Sequence, residues 1–233
     1  GSRIDEVPAD QFNHCVTALK LEDGSFRMYD PTWVPYNNDI WSLLEAEQHY
    51  LVGTPEGETL SRIRYSPPQD SPLVADHEAK LASDGTLTGT FRFEGSGAMD
   101  SRLRRLVSGT RKSELTARGA RLLLPISSRV AGIEVRHHRA DDFSGDMWLE
   151  ISYRIPGFAL RLADGLEFTS PLMQVVLNDG NLFRSGGQAW PAERTTDLLL
   201  WYTQALAGDE TIKVPGGYEL VDAPQVDPVD ETY

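Results

Sequence analysis

Among the residues able to do chemistry, His14 and Asp30 stand 16 positions apart on either side of a short turn, Glu22-Asp23-Gly24. An imidazole acts as a general base when a carboxylate orients its ring, fixes its tautomer and stabilises the imidazolium that forms. Whether these two side chains can meet depends on hairpin register. A two-residue Asp23-Gly24 turn sets Asp30 opposite Thr17, on the face away from His14. A three-residue loop with Gly24 left-handed in a bulge sets Asp30 opposite Val16, diagonal to His14 and on its face. Spacing alone is equally satisfied by a strand histidine bonded to backbone or water and by an Asx-type turn ahead of Pro31.

A nucleophile is harder to find. Cys15, the single cysteine, excludes an internal disulfide, and as a strand neighbour of His14 it should point to the opposite face. The expectation is a small buried hydrophobe without a thiolate-stabilising partner. His137-His138 with Asp141-Asp142 offers metal-ligand types, yet adjacent strand residues diverge and no third ligand sits at a recognisable spacing. Asp70, Asp76 and His77 fare no better, and no metal or cofactor is expected. Trp33, Tyr36, Trp41 and Tyr50 could form an aromatic platform for sugar or peptide, but read more simply as core and corner packing, as do Trp148 and Trp190. Gly95-Ser96-Gly97 lacks the lysine and spacing of a phosphate loop and reads as a flexible entry to a helix.

The elements that must position these residues are mostly strands. Phe12–Leu19 and Phe26–Trp33 form the hairpin that carries His14 and Asp30. Alternation is clearest in Thr86–Phe93 and recurs in Met147–Ile155, with Met147, Leu149, Ile151, Tyr153 and Ile155 on one face. Asp84-Gly85 predicts a hairpin from Ala75–Leu81 into Thr86–Phe93. Helical spacing of Met99, Leu103, Leu106 and Val107 predicts a short amphipathic helix over Ala98–Val107. A second helix is expected over Lys112–Leu124, although Gly119 costs it about 1 kcal/mol relative to alanine and Pro125 bounds it. Three prolines in Ser66–Pro72 mark the domain junction. The acidic tail from Ala223 to Tyr233 ends without a closing strand, as expected of a chain that continues.

The run from Phe12 through His14 to Asp30-Pro31-Thr32 resembles the second half of a transglutaminase-like core, where a histidine-bearing strand precedes an Asp-Pro-Thr strand. Trp41–Val52, Thr54-Pro55-Glu56-Gly57 and Tyr65-Ser66-Pro67-Pro68 resemble the segment after that core in bacterial proteins whose transglutaminase-like domain is flanked by domains of unknown function. Leu81–Phe93, the Ser101–Leu106 helix, and Arg194-Thr195-Thr196 through Val214-Pro215-Gly216-Gly217-Tyr218 look like the flanking carboxyl-side domain. The resemblance implies that His14 and Asp30 are remnants of a Cys-His-Asp triad. Its nucleophilic cysteine would start a helix some tens of residues upstream, where this chain has only thirteen residues. The parent would attack an amide through cysteine and hydrolyse it or transfer the acyl group, with the upstream part of the polypeptide as partner and a protein or peptide as substrate. A periplasmic or envelope location is likewise implied.

Composition bounds the alternatives. With 22 Lys+Arg against 35 Asp+Glu, the net charge of −13 disfavours nucleic acid and anionic lipid, whose binding requires clustered positive charge. The one basic cluster, Arg104-Arg105 with Arg111-Lys112, reads as a solvated helix face. No run of 18 apolar residues suggests membrane insertion. The expected architecture is mainly β within the α+β class. The resemblance implies that residues 1–66 are the carboxyl-terminal part of a transglutaminase-like antiparallel sheet. Residues 67–233 form a β-sandwich with two inserted helices, near 98–108 and 112–124. Three functions remain distinguishable: a non-catalytic carboxyl-terminal portion of a transglutaminase-like or cysteine-protease-like protein; a sandwich that binds or scaffolds protein or glycan; and an enzyme using Cys15.

Overall fold

A computed structural model describes residues 12, 14–30, 48–57, 60–63, 67–176 and 205–223. The first unit is a two-stranded ribbon in which β1 (Thr17–Lys20) pairs antiparallel with β2 (Phe26–Tyr29). The paired segments are shorter than the expected strands, Phe12–Leu19 and Phe26–Trp33. His14 to Val16 and Asp30 flank the ladder, and Pro31 to Trp33 lie outside the described residues. A separate pairing joins β3 (His49–Tyr50) to β4 (Ser61–Arg62). Between them Thr54-Pro55-Glu56-Gly57 is a turn, with the Gly57 amide donating to the Thr54 carbonyl at 3.1 Å.

After a 3-10 turn at Pro68–Asp70 the chain builds one six-stranded sheet. Strand β5 (Pro72–Leu81) turns into β6 (Leu87–Gly95), and two helices come next, α1 (Ala98–Val107) and α2 (Lys112–Leu123). Then come β7 (Ala131–His137) and β8 (Met147–Ile155), with β8 lying between β6 and β7. A small ribbon of β9 (Leu160–Arg161) and β10 (Leu166–Glu167) leads into the one-and-a-half-turn helix α3 (Pro171–Val176). Finally β11 (Ala205–Ala207) and β12 (Glu210–Lys213) both run parallel to β5 along its outer edge.

Period-2 alternation puts Leu73, Leu81, Leu87, Phe91, Phe93, Met147, Leu149, Ile151 and Ile155 on one face, each at most 2% exposed. The other face carries Glu78, Lys80, Thr88, Glu94 and Arg154, all exposed. The mainly-β, α+β class expected from the sequence is the class observed, but the layer over the apolar face differs from a sandwich. Among the described residues it is helical, with α1 against β6 and β8, α2 against β7 and α3 against β5. Alternation demands a cover for one face without specifying its kind; the stripes of Met99, Leu103 and Val107 and of Leu115, Leu122 and Leu123 supply it. Gly119, a liability in an isolated helix, allows α2 to approach closely. A Cβ there would stand 3.0 Å from Val135 Cγ2 and 3.3 Å from Ile133 Cγ2.

Two sequence readings are corrected here. Gly95-Ser96-Gly97 is a tight joint and not a flexible entry: Gly97 has φ +60°, and a Cβ on it would lie 2.0 Å from the Asp70 carbonyl oxygen. Arg104 is a buried cation, 1% exposed, and not part of a solvated face. Its Nε donates to Asp100 Oδ2 at 2.7 Å, and its terminal nitrogens donate to the carbonyls of Arg139, Ala140, Asp142 and Gly145. The β7–β8 loop is thereby wrapped around one guanidinium, with the Phe143 ring 4.5 Å away. No described helix is long and apolar enough to cross a membrane.

Candidate functional site

The loop Glu22-Asp23-Gly24 has three residues. The Leu21 amide donates to the Ser25 carbonyl at 2.8 Å, and Gly24, at φ 84°, donates to the Leu21 carbonyl at 3.0 Å. Asp23 Oδ1 fixes the turn by accepting from the Ser25 amide at 2.9 Å and its hydroxyl at 2.6 Å. These Ser25 donors hold the exposed Asp23 carboxyl below its ordinary value. The same loop recurs at Ser83-Asp84-Gly85, where Ala82 pairs with Thr86 and Asp84 Oδ1 accepts from the Thr86 amide. In both places an Asp-Gly pair supplies a side-chain acceptor and then a residue tolerant of positive φ.

With that loop, Thr17 stands opposite Tyr29, and the register continued by one residue sets Val16 against Asp30. His14 then lies diagonal to Asp30 on the same face. Its Nε2 is 2.8 Å from Asp30 Oδ2, across a side-chain pair that is 43% exposed on the histidine and 2% exposed on the aspartate. Against an ionised carboxylate, which only accepts, a neutral His14 would carry its proton on Nε2 and leave Nδ1 as the free lone pair. Of the pair, the imidazole is the solvent-exposed member and the carboxylate the buried one.

Cys15 departs from expectation: it is exposed. The expectation rested on Cys15 pointing to the face away from His14, and a face turned from the histidine is not thereby a covered one. The aromatic group is not assembled by the described residues either. Trp33, Tyr36, Trp41 and Trp190 lie outside them, and Tyr50 is half-buried on β3. Trp148 sits on the open face of the main sheet, 4.8 Å from the Arg92 guanidinium.

The other histidines are engaged separately. His137 Nδ1 lies 2.7 Å from the His138 carbonyl, and His138 Nε2 is 3.7 Å from Asp142 Oδ2. Asp141 is taken by Arg139 and Asp142 by Ser144, each carboxyl being held below its ordinary value by that partner. Among the described residues no three His, Cys, Asp or Glu side chains gather as a metal set. Asp76 faces the open side of β5, and Asp70 lies in the exposed 3-10 turn.

The sequence reading missed a buried polar chain. His77, 1% exposed, has Nδ1 2.7 Å from Glu210 Oε1 and Nε2 2.7 Å from Tyr153 Oη, with its ring stacked on Phe91 at 4.1 Å. Its position between Ala75 and Ala79 in an alternating strand was a signal for burial. Its partner lies 133 residues away on a parallel strand, and no local pattern reveals that. Comparison of the chain with protein-family models, with curated proteins and with solved structures returned no match.

Proposed function

We propose that the chain is a non-catalytic carboxyl-terminal portion of a transglutaminase-like or cysteine-protease-like protein, with His14 as the base and Asp30 as the residue that orients it. The single observation that carries this reading is the 2.8 Å contact between His14 Nε2 and the buried Asp30 carboxylate, in a register fixed by a three-residue loop. In a complete site a thiol would give its proton to His14 Nδ1, the thiolate would attack an amide carbonyl, and the imidazolium would protonate the leaving amine. Asp30 would stabilise that imidazolium throughout. The residues of this chain supply the base and its orienter; the thiol belongs to an upstream part of the same polypeptide.

The ring tautomer tests the reading. Nitrogen NMR at high pH should find neutral His14 protonated on Nε2, and Asp30→Asn should shift that balance. A ring protonated on Nδ1, or one indifferent to Asp30→Asn, would refute an oriented base. A thiol-dependent amidase or acyl-transfer assay on this chain should show no turnover, and turnover lost in Cys15→Ser would replace the proposal with an enzyme using Cys15.

A second reading, a binding or scaffolding module for protein or glycan, is favoured by the open face of the main sheet. There Trp148 stacks with Arg92, which also bonds Glu150 at 3.1 Å and Glu94 at 2.9 Å. Quenching of Trp148 fluorescence by a glycan or peptide panel, lost in Arg92→Ala, would favour this module.

A further inference from the structure

Glu210 joins β12 to β5 and to the start of α3. Helix α3 is also held by Leu172, Val175 and Val176 in the core, whereas the short strands have little such support. Strands β11 and β12 are three and four residues long, run parallel to β5 and, among the described residues, form an edge of the sheet. Parallel pairing is slightly weaker per residue, and short edges open most easily. Only Ile212 of β12 packs as a half-buried hydrophobe against the core. Yet Glu210 Oε1 accepts from His77 Nδ1 of β5 at 2.7 Å and from the Leu172 amide of α3 at 2.8 Å. A third bond comes from the Ser170 side chain. The other imidazole nitrogen is held by Tyr153 of β8. Gly89 of β6 makes room for this ring, since a Cβ there would stand 3.0 Å from His77 Nε2.

We infer that the His77–Glu210 pair is an acid-released clasp, which docks β11, β12 and the start of α3 onto β5 and lets them go before the antiparallel core opens. Among the described residues, the ionisable groups at the clasp are His77 from β5, Tyr153 from β8 and Glu210 from β12. The facing positions of β6 are Gly89 and Phe91, and α3 has no ionisable side chain. The neighbouring Asp209 is exposed and contributes its carbonyl, which accepts from the His77 amide at 2.8 Å. Of these, Glu210 is the group that acid neutralises. Burial pushes its carboxyl up, but the donors His77, Ser170 and the Leu172 amide outweigh burial and hold it below its ordinary value of 4.5. A depressed folded-state value means that the docking energy is fully present above pH 4.5 and is lost as the pH falls through the folded-state value. The core strands β6 and β8 place no carboxylate of their own on the buried face, and the one that reaches β8, Asp100, is held by Arg104 away from the clasp.

Hydrogen exchange of the full chain, expressed as protection factors near neutral pH and well below pH 4.5, tests the clasp. Protection of peptides covering 171–176 and 205–213 should fall by about tenfold or more. Peptides covering 87–95 and 147–155 should keep theirs. Glu210→Gln keeps an oxygen that accepts from His77 and Leu172 but cannot titrate, so its edge protection should be flat with pH. A variant edge already open at neutral pH, over a protected core, also supports the clasp. Loss of edge and core protection together, no loss in the wild type, or an unchanged pH response in Glu210→Gln would each overturn it. If Glu210→Gln fails to fold, the wild-type contrast between edge and core decides alone.

Discussion

Arg104 Nε donates to Asp100 Oδ2 at 2.7 Å, one helical turn apart on α1 and both buried, while Asp100 Oδ1 accepts from the Met147 amide. This pair ties the helical layer to β8 and gathers the β7–β8 loop. Arg104→Ala should destabilise the fold by about 3–5 kcal/mol, because it strands a buried carboxylate and several loop carbonyls. Arg92→Ala, on the open face, should cost under about 1 kcal/mol. Urea denaturation of both variants measures the contrast; similar losses would refute the structural role of Arg104.

Gly97→Ala and Gly109→Ala separate two reasons for a glycine. Both have positive φ, but a Cβ at Gly109 would meet nothing within 4 Å, whereas at Gly97 it would strike the Asp70 carbonyl. Gly109→Ala should cost about 1 kcal/mol from backbone strain alone. Gly97→Ala should cost about 3 kcal/mol or more, because backbone on both sides must move.

Tyr153 makes the core sensitive to alkali. Burial, and then the charge of Glu210, raise its phenol well above the ordinary value of 10.0. A raised folded-state value stabilises below pH 10.0 and loses that contribution as the pH rises through the folded-state value. Absorbance of ionised tyrosine should therefore show one late-titrating phenol that appears with unfolding and is missing in Tyr153→Phe. At neutral pH that variant should cost about 1–3 kcal/mol, since it leaves His77 Nε2 buried without its partner.

Gly24 sets the register on which His14 and Asp30 depend. Gly24→Ala meets no atom within 4 Å, so its cost, about 1 kcal/mol, comes from holding φ at 84°. The expected outcome is a weakened ribbon and partial loss of the His14 tautomer preference, read by nitrogen NMR. A His14 signal unchanged from wild type would mean that the loop does not hold the pair.

Cys15 should react with an Ellman-type reagent in the native protein at a rate close to that in urea, because it is exposed. Slow native labelling relieved by urea would restore the buried reading.

Much of the local structure was legible in the sequence. Alternation predicts Met147–Ile155, and the Met99, Leu103, Val107 spacing predicts Ala98–Val107, with the bounds observed. Asp-Gly pairs locate both hairpins, and of the two registers the sequence left open for the first, the three-residue loop is the one that places Asp30 beside His14. What failed depended on distant partners. Arg104 lies beside the apolar stripe of α1, but its carbonyl acceptors come from a loop far along the chain. Alternation told which face Cys15 takes but not whether anything covers that face, and Cys15 is exposed. The helical cover of the sheet and the parallel strands β11 and β12 depend on tertiary contacts for which periodicity has no sign.

The pairing of β12 with β5 also bears on how this protein is made. The antiparallel strands of residues 72–155 can condense from nearby contacts as the chain leaves the ribosome, but the outer edge of β5 waits for a strand more than a hundred residues later. Such a wait raises contact order and slows the final step. Meanwhile the nascent sheet exposes an unpaired edge beside the unsatisfied imidazole of His77, a place where a neighbouring chain could pair first. Refolding should accordingly be biphasic, and yield should depend on protein concentration in the slower phase.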